Sequence, residues 1–212
     1  VLDPKSGETV LDMCASPGSK TSQIAQYMEN EGVLISNDYK GLRLQALGIN
    51  MQRTGIKNAV ITLMSGHKFA RSGILFDKIL VDAPCSGTGT IRKSLKTLQI
   101  WNPNMTKKLA SQQKQLAKAA VECLKPGGTL VYSTCSVEPE ENEAVISFIL
   151  DNCKDMKIQK ISLDIKRSKP VMEFNGEKYR EEVKECLRLW PQDNDTEGFF
   201  VAKLKKDGKK KE

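Results

Sequence analysis

Histidine is almost missing from this chain: His67 is the only one in 212 residues. The six cysteines, at positions 14, 85, 123, 135, 153 and 186, form no CxxC pair. Structural and catalytic zinc sites draw on closely spaced Cys and His, so no metal centre is expected. No apolar run approaches the ~20 residues that a membrane-spanning helix requires, so no membrane partner is expected either. The opening residues Val1-Leu2-Asp3-Pro4 lack the basic start and apolar stretch of a secretory signal. Without such a signal the cysteines are read as free thiols in a reducing compartment, the cytoplasm or, in a eukaryote, the nucleus or nucleolus. The chain starts on Val and enters a strand within its first ten residues, so a further N-terminal portion is expected to precede it. A GxGxxG turn is also missing, which argues against a nicotinamide-dependent oxidoreductase.

What is present is an ordinary globular composition, 39% hydrophobic and 28% charged, at a length that a single continuous core can serve. Lys plus Arg number 33 against 26 Asp plus Glu. A net charge of +7 favours a polyanionic partner. The excess gathers between Arg92 and Lys118 and in the tail from Lys203 to Lys211, although a charged tail is as readily a solvated face.

Short apolar runs alternate with helical patterns, the mark of βαβ units on a largely parallel sheet. Seven strands are predicted: Thr9 to Met13, Val33 to Ser36, Ala59 to Leu63, Lys78 to Val81, Thr129 to Ser133, and two late ones near Met156 to Ser162 and Gly198 to Leu204. Helices are expected over Thr21 to Met28 and Gly41 to Arg53, and over a stretch with Leu109, Leu116, Ala117, Ala120, Val121 and Leu124 on one face, stopped by Pro126-Gly127-Gly128. Another is expected to begin with Glu138, Glu140 and Glu141 in its first turn, where acids suit the helix dipole. No internal repeat and no second-domain boundary is evident. The connection from Ser86 to Asn104 lacks periodicity, and long connections of that kind are usually functional.

DMCASPGSKT, residues 12 to 21, takes a strand through a small-residue turn into a helix, the place where an open α/β sheet holds a nucleotide or nucleoside. Its single Gly18 suits an adenosyl ligand better than a pyrophosphate. Asp38, at the end of the second strand, can accept hydrogen bonds from a ribose. Cys85 and Cys135 each follow the carboxyl end of a strand, the fourth and the fifth, which makes them expected neighbours on the ligand-binding edge. Their flanks (Asp82, Pro84 and Ser86; Ser133, Thr134 and Ser136) are polar or turn-forming. The other four cysteines read as small buried hydrophobes. A thiol beside a methyl donor points to carbon 5 of a pyrimidine, which is too weak a nucleophile unless a thiolate first adds at carbon 6. Asp82 could then hydrogen-bond the amino edge of the ring.

Four blocks resemble the Sun-type RNA 5-methylcytosine methyltransferases: DMCASPGSKT (12–21), DAPCSGTG (82–89), LVYSTCS with PEENE (130–143) and RLWPQDNDTEGFFVAKL (188–204). The resemblance implies a class I methyltransferase fold, a Rossmann-like α/β sheet of seven mostly parallel strands with an antiparallel last strand. That domain would occupy residues 1–204, followed by a basic tail at 205–212, and an RNA-binding N-terminal region would lie outside this chain. It further implies a monomer that uses S-adenosylmethionine to methylate cytosine in RNA. Cys135 would be the attacking thiolate, Cys85 would release the product and Asp82 would assist. Donor contacts carry over to Cys14, Ala15, Ser16, Pro17, Gly18, Ser19 and Lys20, to Asp38 and Arg43, to Asp82, and to Ser65. Lys20 could instead reach the substrate. Two departures stand out: Ser65 occupies a place where the family often has Asp, and Asn194 one where it often has His.

The wording of TIRKSLKTLQIW and of the ending suggests tRNA as the target, with ribosomal RNA as the competitor. The alternatives are DNA cytosine-5 methylation, which has no need of the YSTCS block, and a non-catalytic RNA-binding assembly factor, against which the intact Cys85, Cys135 and Asp82 argue.

Overall fold

The computed structural model describes residues 1–208. In chain order it holds strand β1 (Thr9–Asp12), helix α1 (Ser19–Tyr27), β2 (Val33–Asp38), α2 (Gly41–Arg53), β3 (Ala59–Leu63) and β4 (Phe76–Asp82). Then follow α3 (Lys96–Ile100), α4 (Pro103–Glu122), β5 (Leu124–Thr134), α5 (Glu143–Asn152) and β6 (Met156–Gln159). The chain closes with β7 (Glu173–Phe174), β8 (Glu177–Lys178), β9 (Leu187–Leu189), α6 (Pro191–Asn194) and β10 (Phe199–Lys206). Its packing separates into two units.

The first unit comprises Val1–Asp82, Ala119–Val131 and the chain from Lys206. Its strands neighbour one another in the order β3-β2-β1-β4-β5. Parallel registers such as Asp12↔Ser36, Asp12↔Leu80 and Asp38↔Leu63 bring the carboxyl ends of β1 to β4 to one edge. Val10, Leu11, Leu34 and Ile79 are fully buried along these strands, and each contributes roughly 1.5–3 kcal/mol of burial free energy. Leu47 and Met51 of α2 pack with Ala15 of the loop after β1, flanked by Leu44, Ile56 and Ala59. That contact seats the loop on a helix.

The second unit comprises Ala83–Lys118 and Tyr132–Lys205. Here β5 continues, followed by β10 and β6, and β9 pairs antiparallel with β10 through Phe199↔Leu189 and Val201↔Leu187. Val145, Ile146 and Ile149 of α5 are fully buried, as are Tyr132 and Phe200.

All seven predicted strands are present, and the β7–β8 hairpin and β9 are additional. Three local predictions need correction. Helix α4 ends at Glu122 rather than at Pro126, because the Cys123 carbonyl accepts from Phe76 N–H (2.9 Å) and Lys125 pairs with Asp77 (2.9 Å), which draws Leu124 onward into β5. The acidic first turn is a short 3-10 helix, Pro139–Glu141, one residue before α5, and Glu141 is buried among donors rather than serving as a first-turn acid of that helix. Of the four cysteines expected to be buried, Cys123 and Cys186 are, whereas Cys14 and Cys153 lie in a loop and just past a helix end and are partly exposed. β10 runs to Lys206, so the first two residues of the predicted tail are strand; residues 209–212 lie outside the described part.

Candidate active site

In the first unit the site is a loop clamped between strand ends. Met13 N–H donates to Leu80 O (2.9 Å), Ala15 N–H to Asn37 O (2.7 Å) and Gly18 N–H to Ala15 O (2.8 Å). Gly18 holds φ 108° immediately before α1, and a Cβ there would stand 3.0 Å from a Leu47 methyl. Only glycine suits both demands. Asp38 is buried: one carboxylate oxygen accepts Ser16 N–H (3.3 Å), the other accepts Lys40 N–H (3.0 Å), and Arg43 lies 3.5 Å from the first. Arg43 also donates to Ser16 O at 2.5 Å, so Asp38, Ser16 and Arg43 come together as one polar group.

Asp12 is buried with one carboxylate oxygen accepting the Thr21 hydroxyl (2.7 Å), while the other has no hydrogen-bond partner among the described residues. Burial pushes its carboxyl up to about 7. Burial, reinforced by Asp12, Asp38 and Asp82, also raises the Cys14 thiol, so Cys14 is a poor thiolate. Asp82, the last residue of β4, pairs with Lys20 at 2.7 Å. Ser65 Oγ and His67 Nδ1 share a hydrogen bond at 2.8 Å.

Sequence reasoning missed Asn37. Its buried side chain donates to Met13 O and Met64 O (3.0 Å each) and accepts from Thr62 Oγ1 (2.9 Å) and Met64 N–H (3.2 Å), tying the ends of β1, β2 and β3 together. Its only sequence signal was its place beside Asp38.

In the second unit Cys85 follows Pro84, where the chain leaves its strand, and Cys135 follows the end of β5. Ala83 N–H donates to Ser133 O (2.9 Å), which sets the two exits side by side. The thiols meet with Sγ to Sγ at 3.3 Å, and both residues are partly exposed free cysteines. The Cys85 thiol is raised well above its ordinary value, first by its hydrogen bond with Cys135, then by burial and by the charges of Cys135 and Glu141. Gly89 approaches closely: its N–H donates to Cys135 O (2.9 Å) and its carbonyl accepts from Gly198 N–H (2.9 Å). Asn194 bonds both ways with the Lys166 backbone (3.0 and 2.7 Å).

Known proteins resemble this chain throughout its length. The tRNA (cytosine(49)-C(5))-methyltransferase of Pyrococcus abyssi is 50% identical over 206 residues, 97% of this chain and 66% of that protein. Ribosomal RNA small subunit methyltransferase F of Shewanella amazonensis is 39% identical over 206 residues, 97% of this chain and 42% of that protein. The crystal structure of NSun6 from Pyrococcus horikoshii with SFG superposes with a TM-score of 0.84 at 35% identity, covering 99% of this chain and 50% of that one. The chain thus spans about two-thirds of the first relative and less than half of the second. Its fold is the Rossmann-like α/β fold of the methyltransferases it resembles. The family described as 16S rRNA methyltransferase RsmB/F matches residues 1–205, and the chain belongs to it.

Proposed function

We propose that residues 1–204 are the catalytic domain of an S-adenosylmethionine-dependent RNA cytosine-5 methyltransferase acting on tRNA, with RNA binding shared by a region outside this chain. The observation that carries the reading is the Cys85–Cys135 pair at 3.3 Å. Methylation at carbon 5 needs one thiol to add and a second group to assist its departure, and two thiols in mutual contact supply both.

The loop Cys14 to Gly18, with Ser19 and Lys20 of α1, fits an adenosyl donor. Ser16 Oγ and Asp12 Oδ1 are buried there without a partner among the described residues, and such atoms call for a polar ligand. The Asp38 carboxylate would accept the ribose hydroxyls, with Arg43 as its companion. S-adenosylmethionine, when bound, supplies the methyl group. Cys135, in the LVYSTCS block that resembles the family's attacking-cysteine block, is taken as the attacking sulfur, with Cys85 in contact as the second thiol. Its electron pair forms a bond to carbon 6 of the cytosine, and the ring electrons then make carbon 5 nucleophilic. After carbon 5 has taken the methyl group, its proton passes to water; the electrons of that C–H bond re-form the 5,6 double bond, the carbon 6–sulfur bond breaks with its pair left on Cys135, and Cys85, 3.3 Å away, gives its proton to that sulfur and is reprotonated from solvent. Asp82, oriented by Lys20, would hold the amino edge of the base. Attack at carbon 6 needs access to the ring face, so the target base would be looped out or flipped from its stack.

tRNA is favoured by the 50% identity to a tRNA enzyme; ribosomal RNA is the second reading, favoured by the family description and by the 39% identical ribosomal RNA enzyme. The test is transfer of a labelled methyl group to tRNA and to small-subunit ribosomal RNA, repeated with Cys135→Ala and Cys85→Ala. The expected results are no product from the former and an accumulating protein–RNA adduct from the latter. Normal turnover by Cys135→Ala would sink the mechanism.

A further inference from the structure

Glu141 is fully buried at the junction of the two thiol loops. One carboxylate oxygen accepts the Ser86 N–H at 2.9 Å and the Gln113 side-chain N–H at 2.8 Å; the other accepts the Ser136 hydroxyl at 3.1 Å. Ser86 directly follows Cys85, and Ser136 directly follows Cys135. Gln113 of α4 is itself buried and spends its second N–H on Pro84 O (2.9 Å), the residue before Cys85. Glu141 is held in turn, since its own carbonyl accepts the Tyr132 hydroxyl at 2.6 Å. The serine hydroxyls lie 3.1 Å apart, so one carboxylate draws both loops to a common point.

We infer that Glu141 is a positioning residue, whose carboxylate holds the Cys85 and Cys135 loops so that the two sulfurs stand 3.3 Å apart. This rests on the reading that both thiols act in turn on one cytosine. A rival account is that the carboxylate only satisfies buried donors and sustains the fold. The two differ in what Gln does at position 141. A Gln amide can place its oxygen where Ser86 and Gln113 donate and its nitrogen where Ser136 can accept, which keeps every bond. Alanine keeps none of them.

The experiment compares wild type, Glu141→Gln and Glu141→Ala in the full chain, below the melting transition of each. The first readout needs no RNA. Hydrogen peroxide takes two electrons from the two thiols, giving a Cys85–Cys135 disulfide and two waters, and mass spectrometry follows the rate of closure. The second is kcat against KM for methyl transfer. Glu141→Ala is expected to slow closure and lower kcat by about 10- to 100-fold, because misplacement by an ångström costs that much, with KM for S-adenosylmethionine unchanged. Glu141→Gln is expected to follow wild type in both. Should Glu141→Ala fail to fold, Gln113→Leu removes one anchor and is expected to slow closure as well. The inference is overturned if Glu141→Ala, or Gln113→Leu in its place, closes at the wild-type rate, or if Glu141→Gln is as slow as Glu141→Ala. Closure in the expected order with no methylation by wild type would support the positioning role and overturn the catalytic reading.

Discussion

Arg188 grips Glu143 with two parallel hydrogen bonds, Nε to Oε1 at 2.7 Å and a terminal nitrogen to Oε2 at 2.6 Å, and both side chains are shut off from solvent. The remaining guanidinium nitrogen donates to Val137 O at 2.9 Å, two residues past Cys135, and the group lies over the rings of Trp190 and Phe200. A buried pair of this kind is costly to break from one side, since the survivor keeps its charge without its partner. Arg188→Leu is expected to destabilise the fold by about 3–5 kcal/mol in urea unfolding, and a double change of Arg188→Met with Glu143→Leu to recover much of that. A loss below about 1 kcal/mol, the range of an exposed pair, would contradict the burial argument.

Two glycines are expected to respond in opposite directions to alanine. At Gly89 a Cβ would meet Gly198 O at 2.2 Å and Cys135 O at 2.7 Å, both backbone atoms. Gly89→Ala is expected to cost about 1–3 kcal/mol or more and to displace the Cys135 loop, lowering methyl transfer. Gly48 lies inside α2, where a Cβ makes only an ordinary 3.7 Å contact with Ile61. Gly48→Ala is expected to stabilise by roughly 0.5–1 kcal/mol, read as a higher melting temperature.

Asp12 should impose a pH dependence on stability. Its folded carboxyl is raised to about 7 from an ordinary 3.8, chiefly by burial. Between those values the folded chain keeps a proton that the unfolded chain has released, so stability falls as pH rises through that window and levels off above it. Asp12→Asn has no such proton. Its stability relative to wild type is therefore expected to improve between pH 4 and pH 8, by on the order of a few kcal/mol at most. A gap that stays constant in urea unfolding across this range would show that Asp12 is already charged in the fold.

The raised Cys85 thiol depends first on Cys135, through their hydrogen bond and the partner's charge. Cys135→Ala is therefore expected to bring the Cys85 titration down. At neutral pH Cys85 should then react faster with iodoacetamide than it does in wild type, because the thiolate is the reactive form. Unchanged labelling would mean that burial, the second cause, dominates.

Between Ala83 and Val121 the chain carries seven Lys and Arg and no acid. Arg92 and Lys93 face Asp195 (2.7 Å) and Glu197 (3.9 Å), whereas Lys96, Lys107 and Lys108 are exposed. Replacing these three by Gln is expected to weaken tRNA binding and to flatten its salt dependence. The slope of log affinity against log salt should drop by about 0.7–0.9 for each lysine that had faced a phosphate. An unchanged slope would place the RNA elsewhere.

The order of the strands' chemistry was legible in the residues because it follows local rules. Apolar runs ending in Asp12, Asp38 and Asp82 mark strand ends, Gly18 marks the turn, and cysteines just past two successive strands of a parallel sheet fall on the same edge, which is why Cys85 and Cys135 could be expected to meet. Gln113, Glu141 and Asn37 were not legible in that way. Gln113 is one polar residue in a helix whose buried face reads as Ala, Val and Leu; Glu141 sits in an acidic run that reads as the first turn of a helix; Asn37 is overshadowed by Asp38. Most of their partners lie 24 to 55 residues away in sequence, such as Met13 O for Asn37 and Ser86 N–H for Glu141. The sequence by itself determined which groups stand at each strand end, since period and turn chemistry act over a few residues. Only the tertiary structure decided which buried polar group completes which, because a buried hydrogen bond is satisfied by whatever the fold brings within about 3 Å and leaves no local pattern behind.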